Sequence, residues 1–306
     1  MTIQCHNTLL LALSLIGTLA CTPTSPTPAA QPAPKSTAEP PKAPVSKRDK
    51  TPSVTPAPTV RAPRPIRAAA PRDKLHLTRT TGSVESPLPY TIVAPSDDSP
   101  ELPIIIALHG RGDRAEGFCR LVERLRLPYR FIVVEAPMRW GLGSGKQWFD
   151  MKAADRPEQL RRRVDELKLL TEKLAKRWPK APPPSLLGFS QGAMLALQAV
   201  AQRPALFTGV IALSGGLIET KGLSPTTVKR PVWLSAGESD RIVAPDLTER
   251  AAAKLSALGH QTEVFRFKGG HTVTDEVVSG IRVTLKQWYA RGPDKPGAGG
   301  EKKRAR

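Results

Sequence analysis

The chain has 306 residues, 32 of them proline, and 46 Lys and Arg against 27 Asp and Glu give it a formal net charge of +19. With three cysteines it cannot be a disulfide-stapled miniature domain. The positive charge has no base-reading motif or aromatic platform beside it, which argues against nucleic acid as a partner.

Residues 1–20 look like an export signal. Leu9–Ile16 is an apolar run of signal-peptide length, too short to span a bilayer. Leu19-Ala20-Cys21 resembles the end of a bacterial lipobox, in which the cysteine becomes a lipidated N-terminus, although Thr18 and a leader without Lys or Arg depart from that pattern. The expectation is an exported chain anchored through lipidation at Cys21, facing the periplasm or the exterior from the outer membrane. Plain secretion after nearby cleavage and a cytoplasmic chain are the alternatives.

Residues 21–74 read as a linker. Thr22 to Arg72 holds 14 prolines and no leucine or aromatic residue, too little apolar surface to offset chain entropy. Polyproline II character, at ~3.1 Å per residue, would let it reach roughly 150 Å. Ten of its Lys and Arg face three Asp and Glu through residue 74, which suits weak contact with an anionic envelope surface or plain solubility. Residues 291–306 form a second basic, Gly- and Lys-rich tail. The folded domain is expected at 75–290, long enough for one sizeable core.

Within that domain, apolar runs alternate with amphipathic segments, the pattern of a mostly parallel sheet covered by helices on both faces. The runs are Tyr90–Ala94, Pro103–Leu108, Phe131–Glu135, Ser185–Gly188, Gly209–Ser214, Val232–Ala236 and Thr262–Phe267. Pro103–Leu108 is the clearest, β-branched and continuous as in a strand buried on both sides. His109-Gly110-Arg111-Gly112-Asp113 follows it, a glycine-rich turn suited to aiming backbone N–H groups at a substrate carbonyl, with His109 shaping the turn. Cys119 falls in a helical-looking segment and reads as a buried thiol. The strongest helix pattern starts near Asp155 and Pro157 and stops at Pro179, with Leu160, Val164, Leu167, Leu170, Leu174 and Trp178 along one stripe.

Gly188-Phe189-Ser190-Gln191-Gly192, between a short apolar strand and a run of strong helix formers, has the form of a nucleophile elbow. A serine hydroxyl needs a base, and the base needs an orienting acid. Both occur downstream in the order Ser, acid, His, each just beyond a strand. Asp240 lies in the turn after Val232–Ala236, with Glu238 its rival. His271 follows Thr262–Phe267, whereas the rival His260 precedes that strand and His76 precedes the first strong strand. The N–H after the nucleophile, that of Gln191, would be one oxyanion donor.

Five motifs occur in a fixed order: His109-Gly110-x-Gly112-Asp113, Trp148-Phe149-Asp150, the elbow, Gly237-x-x-Asp240 and Gly270-His271. Together they resemble the phospholipase/carboxylesterase family of α/β-hydrolases, which includes the acyl-protein thioesterases. The resemblance implies an α/β-hydrolase fold without a large lid domain, and hydrolysis of small or medium carboxylic esters without metal or organic cofactor. It further implies nucleophile Ser190, acid Asp240, base His271, and oxyanion N–H groups from Arg111 and Gln191. Trp148 and Phe149 would lie near the acyl-binding region, or serve as core aromatics only. Arg111 occupies a position usually apolar in the thioesterases; its cationic side chain either favours substrates bearing a carboxylate or points into solvent. A lysophospholipase or thioesterase with the same triad is the nearest alternative. From a different class comes a non-catalytic envelope-binding protein on a relic hydrolase fold.

Overall fold

The computed structural model describes residues 75–81, 86–97 and 99–290. The leader, Cys21, the linker and the basic tail therefore lie outside the described residues. Eight strands form one sheet: β1 (Leu77–Thr81), β2 (Tyr90–Pro95), β3 (Ile104–Leu108), β4 (Arg130–Val134), β7 (Ser185–Phe189), β8 (Val210–Leu213), β9 (Pro231–Gly237) and β10 (Gln261–Phe267). Two-residue strands β5 (Met138–Arg139) and β6 (Lys146–Gln147) make a separate small hairpin. The spatial order is β1-β2-β4-β3-β7-β8-β9-β10. From β4 to β10 all neighbours are parallel, and β1 and β2 run antiparallel along one edge.

Alternation along the strands splits the core in two. Ile104, Ile106 and Leu108 of β3 pack with α2 (Arg156–Arg177), α3 (Gln191–Gln202) and α4 (Pro245–Ala257). Ile105 and Ala107 face the other way, toward α1 (Ala115–Leu125) and α5 (Asp275–Ala290). The fold is thus the α/β-hydrolase architecture expected, with helices on both faces. Helix α3 buries residues all round its circumference, including Ala193, Leu195, Leu197 and Val200. It lies between the middle of the sheet and α2, and a helix without a polar face needs such a position. Helix α2 buries the predicted leucine stripe, and Trp178 next to its end is buried too. Asp155 does not cap α2 through its side chain, which instead accepts a 2.8 Å hydrogen bond from Gln159 Nε2.

The sequence reading missed β1, whose Leu-Thr-Arg-Thr-Thr is mostly exposed. Register with β2 and an ion pair between Arg79 and Glu123 of α1, with Nη2 and Oε2 2.7 Å apart, hold it in place rather than an apolar face. Among the described residues no helix is long and apolar enough to cross a membrane.

Parallel strands bring their carboxyl ends to a common rim. After β3 the chain moves out to β4, and β7 returns on the other side of β3, so the order switches direction between β3 and β7. In open α/β sheets the crevice at such a switch is where ligands bind.

Candidate active site

The elbow between β7 and α3 is shaped by collisions that only glycine avoids. A Cβ on Gly188 would strike the backbone of Gly192 and Ala193, and one on Gly192 would strike the carbonyls of Leu108 and His109. Between them Ser190 takes φ 53° and ψ −117°, a conformation costly for a residue with a side chain. Its N–H donates to Leu213 O of β8 at 2.8 Å, which pins the turn to the sheet. The hydroxyl is left facing the rim.

Ser190 Oγ stands 2.9 Å from His271 Nε2, and His271 Nδ1 stands 2.7 Å from Asp240 Oδ2. The network assigns the protons: Nδ1–H donates to the carboxylate, so Nε2 is free to accept from the serine. The Asp240 side chain is 1% exposed and that of His271 18%. Burial alone would push the Asp240 carboxyl up. Donation to it from Val243 N–H, from His271 and from Ile242 N–H outweighs burial and holds its pKa below the ordinary value. It is therefore an ionised, oriented acceptor.

The turns carrying Asp240 and His271 are joined by main chain. Glu238 N–H donates to Phe267 O and Ser239 N–H to Gly269 O, both at 3.0 Å. A Cβ on Gly237 would reach 2.6 Å from Gly269 O, so the turns touch where only glycine fits. Phe189 packs against the imidazole, with ring centres 4.8 Å apart.

On the opposite side of the serine lies the turn after β3. A Cβ on Gly110 would come 3.5 Å from Ser190 Cβ. Gly112, at φ 87°, gives its N–H to Lys146 O at 2.7 Å, and Lys146 N–H returns to Asp113 O at 3.0 Å. The β5–β6 hairpin is thus bonded to the glycine-rich turn, and Trp140 from it lies over Gly112. Gln191 opens α3, where an N–H has no intrahelical acceptor.

The sequence profile of the phospholipase/carboxylesterase family matches residues 90–289, which span this whole arrangement. The chain belongs to that family. Family membership makes it a carboxylic ester hydrolase. Esterase YpfH of Escherichia coli (strain K12) is 26% identical over 212 residues, 63% of this chain and 88% of the relative. A Bacillus cereus carboxylesterase superposes with a TM-score of 0.58 at 18% identity, covering 66% of this chain and 95% of its own. A Mesorhizobium loti carboxylesterase gives 0.59 at 18% identity, covering 68% and 98%. These two likenesses speak for the fold.

Other residues singled out in this family member fall elsewhere. Glu238 is exposed beside Asp240. His260 is buried at the amino end of β10, on the far rim, where its Nδ1 accepts from Arg230 N–H at 3.3 Å. His76 is exposed before β1. Cys119 is 1% exposed within α1, and burial pushes its thiol up to about 11, so it is no nucleophile. His109 shapes the turn: Nδ1–H donates to Gly110 O at 2.8 Å while Nε2 accepts from Ala136 N–H at 3.1 Å. Burial depresses its pKa, which keeps it neutral for those two roles.

Trp148 and Phe149 need correcting. Both are 0% exposed, so they present no surface to an acyl group and sit in the core behind the turn. The Arg111 side chain is exposed, with its guanidinium 5.9 Å from the centre of the Trp140 ring. The sequence reading overlooked that hairpin because two-residue strands leave no period. Its one signal was the alternation of glycines at 141, 143 and 145. Among the described residues no group of His, Cys, Asp and Glu could hold a metal ion.

Proposed function

We propose that the chain is a serine esterase acting through an acyl-serine intermediate on small or medium carboxylic esters. The carrying observation is the pair of contacts from His271, 2.9 Å to Ser190 Oγ and 2.7 Å to Asp240 Oδ2. His271 Nε2 takes the hydroxyl proton as Oγ bonds to the ester carbon. The carbonyl oxygen becomes an oxyanion that accepts from the N–H groups of Arg111 and Gln191. Collapse breaks the bond to the alcohol, which leaves with the proton from Nε2. Water then attacks the acyl-serine, losing its proton to Nε2, and Ser190 departs with that proton restored. Asp240, ionised throughout, fixes the tautomer and stabilises the transient imidazolium.

The test is fluorophosphonate labelling followed by peptide mapping, with p-nitrophenyl esters of increasing chain length as substrates. Modification at Ser190 and turnover abolished in Ser190→Ala are expected. Labelling elsewhere, or a Ser190→Ala enzyme of undiminished rate, defeats the reading.

The exported, lipid-anchored location at the outer membrane belongs to the same proposal. It is supported by the apolar run Leu9–Ile16, by Leu19-Ala20-Cys21 and by the long spacer after them. Incorporation of labelled palmitate that disappears in Cys21→Ser is the expected result; equal incorporation in both overturns it.

A further inference from the structure

We propose that the Gln191 side-chain amide and the Trp148 indole form a buried brace that sets the spacing between the two oxyanion donors, making both positioning residues for the reaction. The inference rests on the serine-esterase reading above. The two donors belong to different elements: Gln191 N–H to the start of α3, Arg111 N–H to the turn after β3. Their separation must match one oxygen atom, and a misplacement of about 1 Å can cost on the order of a hundredfold in rate.

Side chains tie them together. Gln191 is 2% exposed, although a glutamine at the mouth of a site could face water. Its Oε1 accepts from Trp148 N–H at 2.8 Å and its Nε2 donates to Phe149 O at 2.7 Å. Those partners leave one orientation of the amide, since reversal would set N–H against N–H and oxygen against oxygen. The Trp148 indole N–H then donates to His109 O at 2.8 Å. His109 is itself fastened at both ring nitrogens and begins the turn that reaches Arg111 two residues later. The connection from one donor to the other thus runs through three hydrogen bonds made by fully or almost fully buried residues. Water cannot readily replace any of them, and breaking one strands a buried polar group. The complete burial of Trp148 and Phe149, unsuited to substrate contact, is what this role requires.

Ordinary core satisfaction would make the same contacts, so the test must separate the two. Gln191→Met keeps length and loses both bonds; Gln191→Glu keeps an acceptor for Trp148 N–H and loses the donor to Phe149; Trp148→Phe removes the indole N–H. For each, kcat and KM on a p-nitrophenyl ester are measured with the Ki of an aryl trifluoromethyl ketone, whose serine adduct carries the oxyanion. We expect kcat to fall about tenfold to a hundredfold in Gln191→Met and in Gln191→Glu, which sets a carboxylate oxygen against Phe149 O, and less in Trp148→Phe, with KM within about twofold. Ki should weaken by the same factor as kcat/KM. Gln191→Met combined with Trp148→Phe should lose less than the product of the single losses, because both cut one connection.

A folded variant that keeps wild-type kcat and Ki overturns the brace. So does a loss of kcat that leaves Ki unmoved. If Gln191→Met does not fold, Gln191→Glu and Trp148→Phe carry the same test. Fluorophosphonate labelling of the wild-type protein is the separate control: its absence would remove the esterase reading, whereas labelling and turnover with unaffected variants would remove only the brace.

Discussion

The two sides of Ser190 are built differently. On one side the turns after β9 and β10 carry Asp240 and His271, and backbone hydrogen bonds join them as an extension of strand register. On the other, the turn after β3 is held by the β5–β6 hairpin, by Trp148 and by Gln191, through longer-range contacts outside the sheet. The first arrangement follows once two neighbouring strands pair. The second needs residues that share no strand pair of the main sheet to meet, and its precision depends on their packing.

The largest effect should come from cutting the acid–base side. Asp240→Asn should lower kcat by about 10⁴ by forcing the wrong imidazole tautomer, while Glu238→Gln leaves it near wild type. The reverse outcome in ester assays would exchange their roles. A smaller loss is expected on the other side. Trp140→Ala, which uncovers Gly112, should reduce kcat on the order of tenfold with little change in melting temperature; an unchanged kcat would show the hairpin to be a bystander. Arg111→Leu sharpens the contrast within one residue. Its backbone donor survives, so neutral esters should be cleaved at nearly the same rate, while kcat/KM on carboxylate-bearing esters should fall severalfold; an unchanged ratio between the two ester types excludes steering by the guanidinium.

The smallest effect concerns stability against pH. Because folding depresses the Asp240 pKa, its contribution is fully present above the unfolded value and is lost as pH falls through the folded one. The difference in urea midpoint between wild type and Asp240→Asn should therefore narrow as the medium becomes acidic. A gap that widens there would contradict the assigned charge state.

What was legible in the sequence divides along the same line. Strand pairing puts apolar runs such as Ile104–Leu108 in the core, and Ser190, Asp240 and His271 each follow a strand end, so position nominated all three while leaving Glu238 as a rival to Asp240. Strand β1 escaped because an edge strand needs no apolar face, and the hairpin escaped because it has almost no strand. Trp148 and Phe149 were drawn toward substrate by resemblance. Aromatic residues beside a site look alike in one dimension whether they line it or stand behind it.

The left-handed backbone at Ser190 also limits which nucleophile this scaffold can adopt. Threonine carries the same hydroxyl, but its branched carbon makes φ 53° far harder to sustain, so that exchange should be lost at the fold before it is tried at the reaction. Cysteine has no branch and could occupy the corner. On the proposed mechanism, a thiol is therefore the one other attacking group that this corner would admit.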